Sequence, residues 1–179
     1  MPPDRRESLS LQLPAPGGSS TAAMLRVGLI SDTHGLLRPE AVAFLEGSDH
    51  IIHGGDICDG GLLEALSAIA PVTAVRGNND HGPWASRLRE TERCQVGEVV
   101  VYVVHDLAQL EMDPHAAGVQ VVVSGHSHKP SVERRNGILY VNPGSAGPRR
   151  FKLPISVGEL RVTGSSVSAR IVGIERVNV

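Results

Sequence analysis

Five short apolar runs in this 179-residue chain each stop at residue types that bind metal ions. The runs are 25–30, 51–52, 72–75, 99–104 and 119–123, and the residues just beyond them are Asp32 and His34, Asp56, Asn78, His105, and His126 with His128. Rich in β-branched aliphatics and without strict alternation, the runs read as strands of sheets covered on both faces. In open α/β sheets ligands gather beyond the carboxyl ends of the strands, where side chains from remote parts of the chain converge. All seven candidates sit at such ends, so one pattern constrains both the architecture and the chemistry.

Between the runs the rhythm is strand, loop, helix. Pro39 opens a helix through Glu46 and Gly47 ends it, and a second helix runs from Gly61 to Ile69 before Pro71. After Gly77 the pattern turns mostly to β. Strands are expected at 93–96, 131–135, 138–141, 155–162 and 167–174, with turns at Gly97-Glu98, Asn136-Gly137 and Thr163-Gly164, and a short helix is expected at Pro114 to Ala117. Two packed sheets with helices outside absorb this mixture. Residues 1–23, rich in Pro, Ser, Gly and Thr, read as a flexible N-terminal extension. Met24 is a candidate functional start, and alternating Leu9, Leu11 and Leu13 offer a short strand to a partner's edge. Residues 24–179 read as a single domain.

With 41% hydrophobic residues the chain can bury one full core, and with aromatics at 3% that core must be built from Val, Ile, Leu and Ala. Few aromatics, a net charge of −2 and no basic run leave neither stacking platform nor electrostatic footprint for nucleic acid. Cys58 and Cys94 make no disulfide framework, and Cys58 reads as a small buried hydrophobe. No apolar stretch approaches the roughly 18 residues of a membrane span, and none follows Arg5 and Arg6 as a secretion signal requires. A cytoplasmic location is expected, and homo-oligomerisation is left open.

The seven residues offer four imidazoles, two carboxylates and one amide. In Asp32-Thr33-His34, residues two apart on extended chain point to one side, so both reach one cation; His126-Ser127-His128 repeats the device behind Gly125. Asp56 has two oxygens with which to bridge two cations, and Asn78 adds a neutral carbonyl oxygen. Mixed nitrogen and oxygen donors suit Mn, Fe, Zn, Ni or Co rather than Mg or Ca. Two such cations about 3.5–4 Å apart lower the pKa of a bridging water and clamp the oxygens of a phosphoryl centre. Hydrolysis of a phosphate ester by a bridging hydroxide is the natural use.

Asp32-x-His34, Gly55-Asp56, Gly77-Asn78, His105 and Gly125-His126-Ser127-His128, in that order, resemble the signature of the calcineurin-like metallophosphoesterases. The short length and Asn142-Pro143-Gly144-Ser145 are similar to the small YfcE-type phosphodiesterases within them, and the resemblance spans Leu25 to Val172. It implies an α/β fold, a four-layer α/β/β/α sandwich of two mixed sheets flanked by helices. It further implies one metal on Asp32, His34, Asp56 and His128 and another on Asp56, Asn78, His105 and His126. Manganese is the first expectation, and the substrate is a small phosphodiester. Catalytic roles fall to His34, Asp56 and Asn78, with His34 or another nearby imidazole assisting the leaving group.

Two positions depart from the family pattern. Asn79 stands where many members carry a His thought to protonate the leaving group, which favours good leaving groups or strained cyclic phosphates. His105 is followed by Asp106 where Gly is usual, a carboxylate that either repels anions or makes a hydrogen bond near the metal. Among the remaining residues His81 lies nearest in sequence to the missing acid. Asp80 and Asp59 serve imidazole N–H groups or cap turns. Asn142 to Ser145 either line the phosphate site or form a tight turn, and Arg149 and Arg150 either meet phosphate or stay solvated. His50, His53 and His115 read as structural or solvated. Two rival classes remain: a protein-binding scaffold like the retromer subunit of this fold, which has no use for seven ligands, and a nuclease, against which the surface composition weighs.

Overall fold

The computed structural model describes residues 22–175. Most of the expected N-terminal extension, including Leu9, Leu11 and Leu13, therefore lies outside the described residues. In chain order the elements are β1 (Leu25–Ile30), α1 (Pro39–Leu45), β2 (His50–His53), α2 (Gly60–Ser67), β3 (Val72–Ala74), β4 (Thr91–Val96), β5 (Val99–Val104), β6 (Val121–Val123), β7 (Ser131–Arg135), β8 (Ile138–Asn142), β9 (Ser156–Thr163) and β10 (Ser166–Gly173). Two five-stranded sheets result, ordered β10-β9-β1-β2-β3 and β4-β5-β6-β8-β7. Both are mixed. β1, β2 and β3 run parallel, as do β5, β6 and β8, while the remaining strands pair antiparallel.

The sheets meet through an aliphatic core. Val27, Leu29, Ile52, Leu160 and Val162 of the first sheet face Val99, Val101, Val103, Val121, Val123, Leu139 and Val141 of the second, all buried. This is the aromatic-poor interior that the composition requires. On the outer face of the first sheet, Ala41 and Leu45 of α1 and Leu62 and Leu66 of α2 pack on Ile30, Ile51 and Val157. On the outer face of the second, Val104, Val119, Val122 and Ile138 are covered by Leu107, Met112 and neighbouring side chains. The α/β/β/α order holds with its last layer thin, a 3-10 turn at Leu107–Gln109 and a turn at 114–118.

That thin layer corrects the expected helix at Pro114 to Ala117. Gly118 leaves in the left-handed region (φ 68°) after a single turn, too short for a helical nucleus to propagate. Val119 N–H closes this turn onto the Pro114 carbonyl at 2.9 Å, so the following strand starts at Val121 rather than Val119.

Helix ends are settled by side chains. Pro39 occupies the first turn of α1, and the Arg26 guanidinium donates to the Phe44 and Glu46 carbonyls at the other end, at 2.6 and 2.9 Å. Asp59 is the N-cap of α2, accepting from Gly61 N–H at 2.9 Å, which is its role here rather than service to an imidazole. Arg26 also pairs with Glu159, a fully buried carboxylate on β9 that Arg161 and Arg170 hold as well. Burial works against the charged carboxylate, yet the hydrogen bonds from Arg170, Arg26 and Arg161 outweigh it and bring the Glu159 pKa down to about 2.

Candidate metal centre

The carboxyl ends of the six parallel strands meet at one rim, and all seven strand-end candidates gather there. The turns leaving the strands are sharp. Asp32, His34, Asp56, His126 and His128 all adopt positive φ, at 51°, 46°, 55°, 66° and 58°. The paired ligands of Asp32-x-His34 and His126-x-His128 therefore converge through left-handed kinks, not through the extended alternation expected from their spacing. Such backbone costs about 1–3 kcal/mol per residue and persists only where the surroundings over-determine it.

Here cross-links between the loops do so. Asp32 N–H and His34 N–H donate to the Gly55 and Asp56 carbonyls, both at 3.0 Å, and Gly125 N–H donates to the His105 carbonyl at 2.9 Å. Across the two sheets, His126 N–H meets both Asp32 carboxylate oxygens at 3.2 and 3.1 Å. Close approach explains the glycines. A Cβ on Gly77 would overlap the Asp56 backbone and carboxylate, and one on Gly125 would overlap the Ser31 hydroxyl.

One group of donors comprises Asp32, His34 and His128, whose ligand atoms lie within 4.8 Å of one another. His128 Nε2 stands 3.3 Å from Asp32 Oδ1 and 3.3 Å from His34 Nε2, and His34 Nε2 is 3.8 Å from Asp56 Oδ2. A second group forms around Asp56, His105, Asn78 and His126. His105 Nε2 lies 3.4 Å from Asp56 Oδ2 and 3.1 Å from Asn78 Oδ1, which is 3.0 Å from His126 Nδ1. Asp32, Asp56 and His105 also lie within 4.8 Å of one another, so the two groups adjoin.

This donor set fits divalent cations. Asp32 and Asp56 are 0% and 2% exposed, and two buried carboxylates in one pocket are costly without compensating charge. His105 Nδ1–H donates to the Gly54 carbonyl at 2.7 Å, which fixes the tautomer and leaves Nε2 for a cation. Nitrogen and carboxylate oxygen together suit first-row transition metals and zinc.

Electrostatics follow the same geometry. Burial opposes charge on Asp56, but hydrogen bonds from His105 and from the Asn79 backbone and side chain hold its pKa well below the usual carboxylate range. Burial also disfavours charge on His105, yet its bonds with Asp56 and Gly54 win and raise its pKa. For His34 burial prevails over Asp56 and Asp32, and its pKa is lowered.

The remaining candidates divide into braces and cavity walls. Asp80, 4% exposed, accepts from Cys58 N–H and Gly77 N–H, both at 2.7 Å, tying together the loops that carry Asp56 and Asn78. It serves backbone, not an imidazole. Ser145 donates to the Asp32 carbonyl at 2.8 Å, and Asn142 donates to the Gly125 carbonyl at 2.7 Å, so that segment braces two ligand loops. Asp106 accepts from Ala108 N–H at 3.0 Å, and its other oxygen stands 3.8 Å from His126 Nε2. His81 lines a cavity shared with Asn78, His105 and His126. Arg149 is tied to Glu175.

Cys58 corrects its reading as a buried hydrophobe. Its left-handed kink (φ 63°) turns the thiol outward, 3.6 Å from His34 Nδ1, and burial with the nearby Asp80 and Asp56 charges pushes its pKa up to about 11. His53, read from sequence as structural or solvated, and Ser31 both touch the site from a structural position. His53, fully buried and with its pKa lowered to about 3 by that burial, accepts from Gly55 N–H at 3.1 Å and bonds the Thr33 hydroxyl at 3.0 Å, bridging the first two ligand loops. Ser31 donates to Asp32 Oδ2 at 2.7 Å. Their signal in sequence was position alone, each at or just past a strand end between ligands.

The family model described as calcineurin-like phosphoesterase superfamily domain matches residues 25–165. A probable metallophosphoesterase of Methanothermobacter thermautotrophicus is 37% identical over 158 residues, covering 82% of this chain and 91% of that protein. The phosphodiesterase YfcE of Escherichia coli is 28% identical over 168 residues, 76% of this chain and 88% of that one. Among solved structures, Vacuolar Protein Sorting 29 from Cryptosporidium parvum superposes with a TM-score of 0.73 at 22% identity, covering 86% of this chain and 93% of its own. Its likeness extends to the fold. With the family model spanning β1 to β9 and every loop that carries a candidate ligand, this chain belongs to the calcineurin-like phosphoesterase superfamily.

Proposed function

We propose that residues 24–179 form a single-domain phosphodiesterase that binds two divalent cations, manganese foremost and Ni, Fe, Co or Zn as alternatives. The observation that carries this reading is the shared position of Asp56, whose Oδ2 lies 3.8 Å from His34 Nε2 on one side and 3.4 Å from His105 Nε2 on the other. Asp32, His34, Asp56 and His128 would hold one cation, and Asp56, Asn78, His105 and His126 the other. When bound, the cations supply Lewis acidity toward phosphoryl oxygens and lower the pKa of water at the site.

The chain's own groups do the rest. Asp56 sets the spacing of the two groups, while the bonds of His105 to Gly54 and of His126 N–H to Asp32 keep the donors aimed before substrate arrives. Asn78 and His126 are exposed where their groups open to solvent, so substrate reaches the centre from that side. Asn79 bonds Asp56 and carries no proton to give a leaving alkoxide, which favours substrates that leave well unaided. His34 or another nearby imidazole would assist the leaving group, and the protein would act in the cytoplasm on small diesters rather than nucleic acid.

The test is hydrolysis of bis(p-nitrophenyl) phosphate by protein purified without chelators, with Mn, Ni, Co, Fe or Zn added in turn and metal content measured alongside. Turnover that follows metal content supports the reading. Bound metal without turnover of any diester would leave the scaffold reading, and degradation of oligonucleotides would favour the nuclease.

A further inference from the structure

Beside Asn78, His105 and His126 a cavity of about 480 Å³ opens, with His81, Ser86 and Gln109 in its wall. That volume lies within the roughly 300–1,000 Å³ of small-molecule sites.

The charges in this cavity are largely accounted for. Arg76 is paired with Glu90 at 2.7 Å, and Asp80 spends both oxygens on backbone N–H groups. Asp106 remains. One of its oxygens caps Ala108 N–H, and the other faces His126 without a guanidinium or ammonium partner among the described residues. The wall thus offers a hydroxyl, an amide, an imidazole and a surplus carboxylate, and its one guanidinium is already neutralised.

We propose that the cleft takes its phosphodiester in one orientation, the phosphate over the donor groups and one ester arm in the cavity, and that this arm is a polar alcohol bearing no negative charge. The inference rests on the phosphodiesterase reading and narrows its substrate class. Hydroxyls of a neutral arm find partners in Gln109 and His81 and can donate to Ser86, whose own proton goes to the Pro83 carbonyl at 2.8 Å, and a cationic arm gains from Asp106. A phosphorylated arm meets an uncompensated carboxylate, and this like-charge contact rejects the wrong substrate.

Three methyl phosphodiesters serve as probes, their second arms being glycerol, choline and glycerol 3-phosphate. Their non-hydrolysable phosphonates are titrated by calorimetry into the zinc-loaded protein, and turnover of the esters is followed by phosphorus NMR with manganese. The glycerol and choline arms should bind at least about tenfold tighter than the phosphorylated arm. Asp106→Asn should cut that preference to about threefold or less, and Gln109→Lys, on an exposed residue, should abolish or reverse it.

Equal or tighter binding of the phosphorylated arm, or a preference untouched by both cavity variants, would overturn the proposal. The two readings fail differently. Turnover without preference removes this inference alone, whereas preference without turnover under any metal removes the phosphodiesterase reading and with it the substrate class inferred from it.

Discussion

Asn79 grips both oxygens of the Asp56 carboxylate, its backbone N–H donating to Oδ1 at 2.8 Å and its side-chain amide to Oδ2 at 2.7 Å. The residue that departs from the family's usual histidine is thus a positioning residue for the carboxylate shared by the two donor groups. Asn79→Ala keeps the backbone bond and removes the amide, so we expect about 10–100-fold weaker metal binding with the fold retained. Metal titration by calorimetry with circular dichroism on the same samples checks this. Unchanged affinity would mean that the amide contact is incidental.

Metal removal should destabilise the protein. A cation that binds only the folded state adds stability by mass action, about 2.7 kcal/mol at 100 times its dissociation constant. We expect manganese to raise the melting temperature of chelator-treated wild type. Asp56→Asn should lose most of that rise together with at least about a thousandfold of turnover if, as proposed, Asp56 orients both cations. A full thermal response in Asp56→Asn would show that the donors act independently of that residue.

Glu159 sets an acid limit on stability that is independent of the metal centre. Its pKa is lowered from 4.5 to about 2 by its arginine partners, so its contribution is fully present above pH 4.5 and is lost as pH falls toward 2. Arg161 and Arg170 are half exposed, and solvent screening limits the contribution to about 1–3 kcal/mol. Urea unfolding of wild type and Glu159→Gln should therefore differ by that amount at pH 6 and converge near pH 2. A difference independent of pH would point to packing rather than charge.

Gly125→Ala tests the close approach of the two sheets at the rim. Its new methyl would meet the Ser31 hydroxyl, and the Asp32 carboxylate at 2.7 Å, which forces the 125–128 loop away from Asp32. We expect a loss of about 1–3 kcal/mol in urea unfolding, as for other overpacked sites, and weaker metal binding in parallel. Stability falling with metal affinity intact would separate the loop's packing from its role in aiming His126 and His128.

Much of this protein was legible in its sequence because strand ends are local events. An apolar β-branched run terminated by Asp, Asn or His declares both the strand and a candidate donor; the tertiary structure brings Asp32, His34, Asp56, His105 and His128 together as possible ligands and sets Asn78 and His126 beside His105. The helices from Pro39 and near Gly61 announced themselves through proline and glycine within about two residues of their bounds. Other features depended on partners remote in the chain. The left-handed kinks of Asp32, His34, Asp56, His126 and His128 are imposed by hydrogen bonds between loops, so spacing alone suggested a different local geometry. Cys58 is exposed at a left-handed kink of a loop tied to Asp80, and Asp80 and Asn142 are braces because the backbone groups they satisfy come from other loops. Sequence by itself determined which side chains were available and which strands would carry them. Only the packing of one sheet on the other decided which atoms meet, because contacts across the two sheets are set by strand order and crossing loops that no local pattern records.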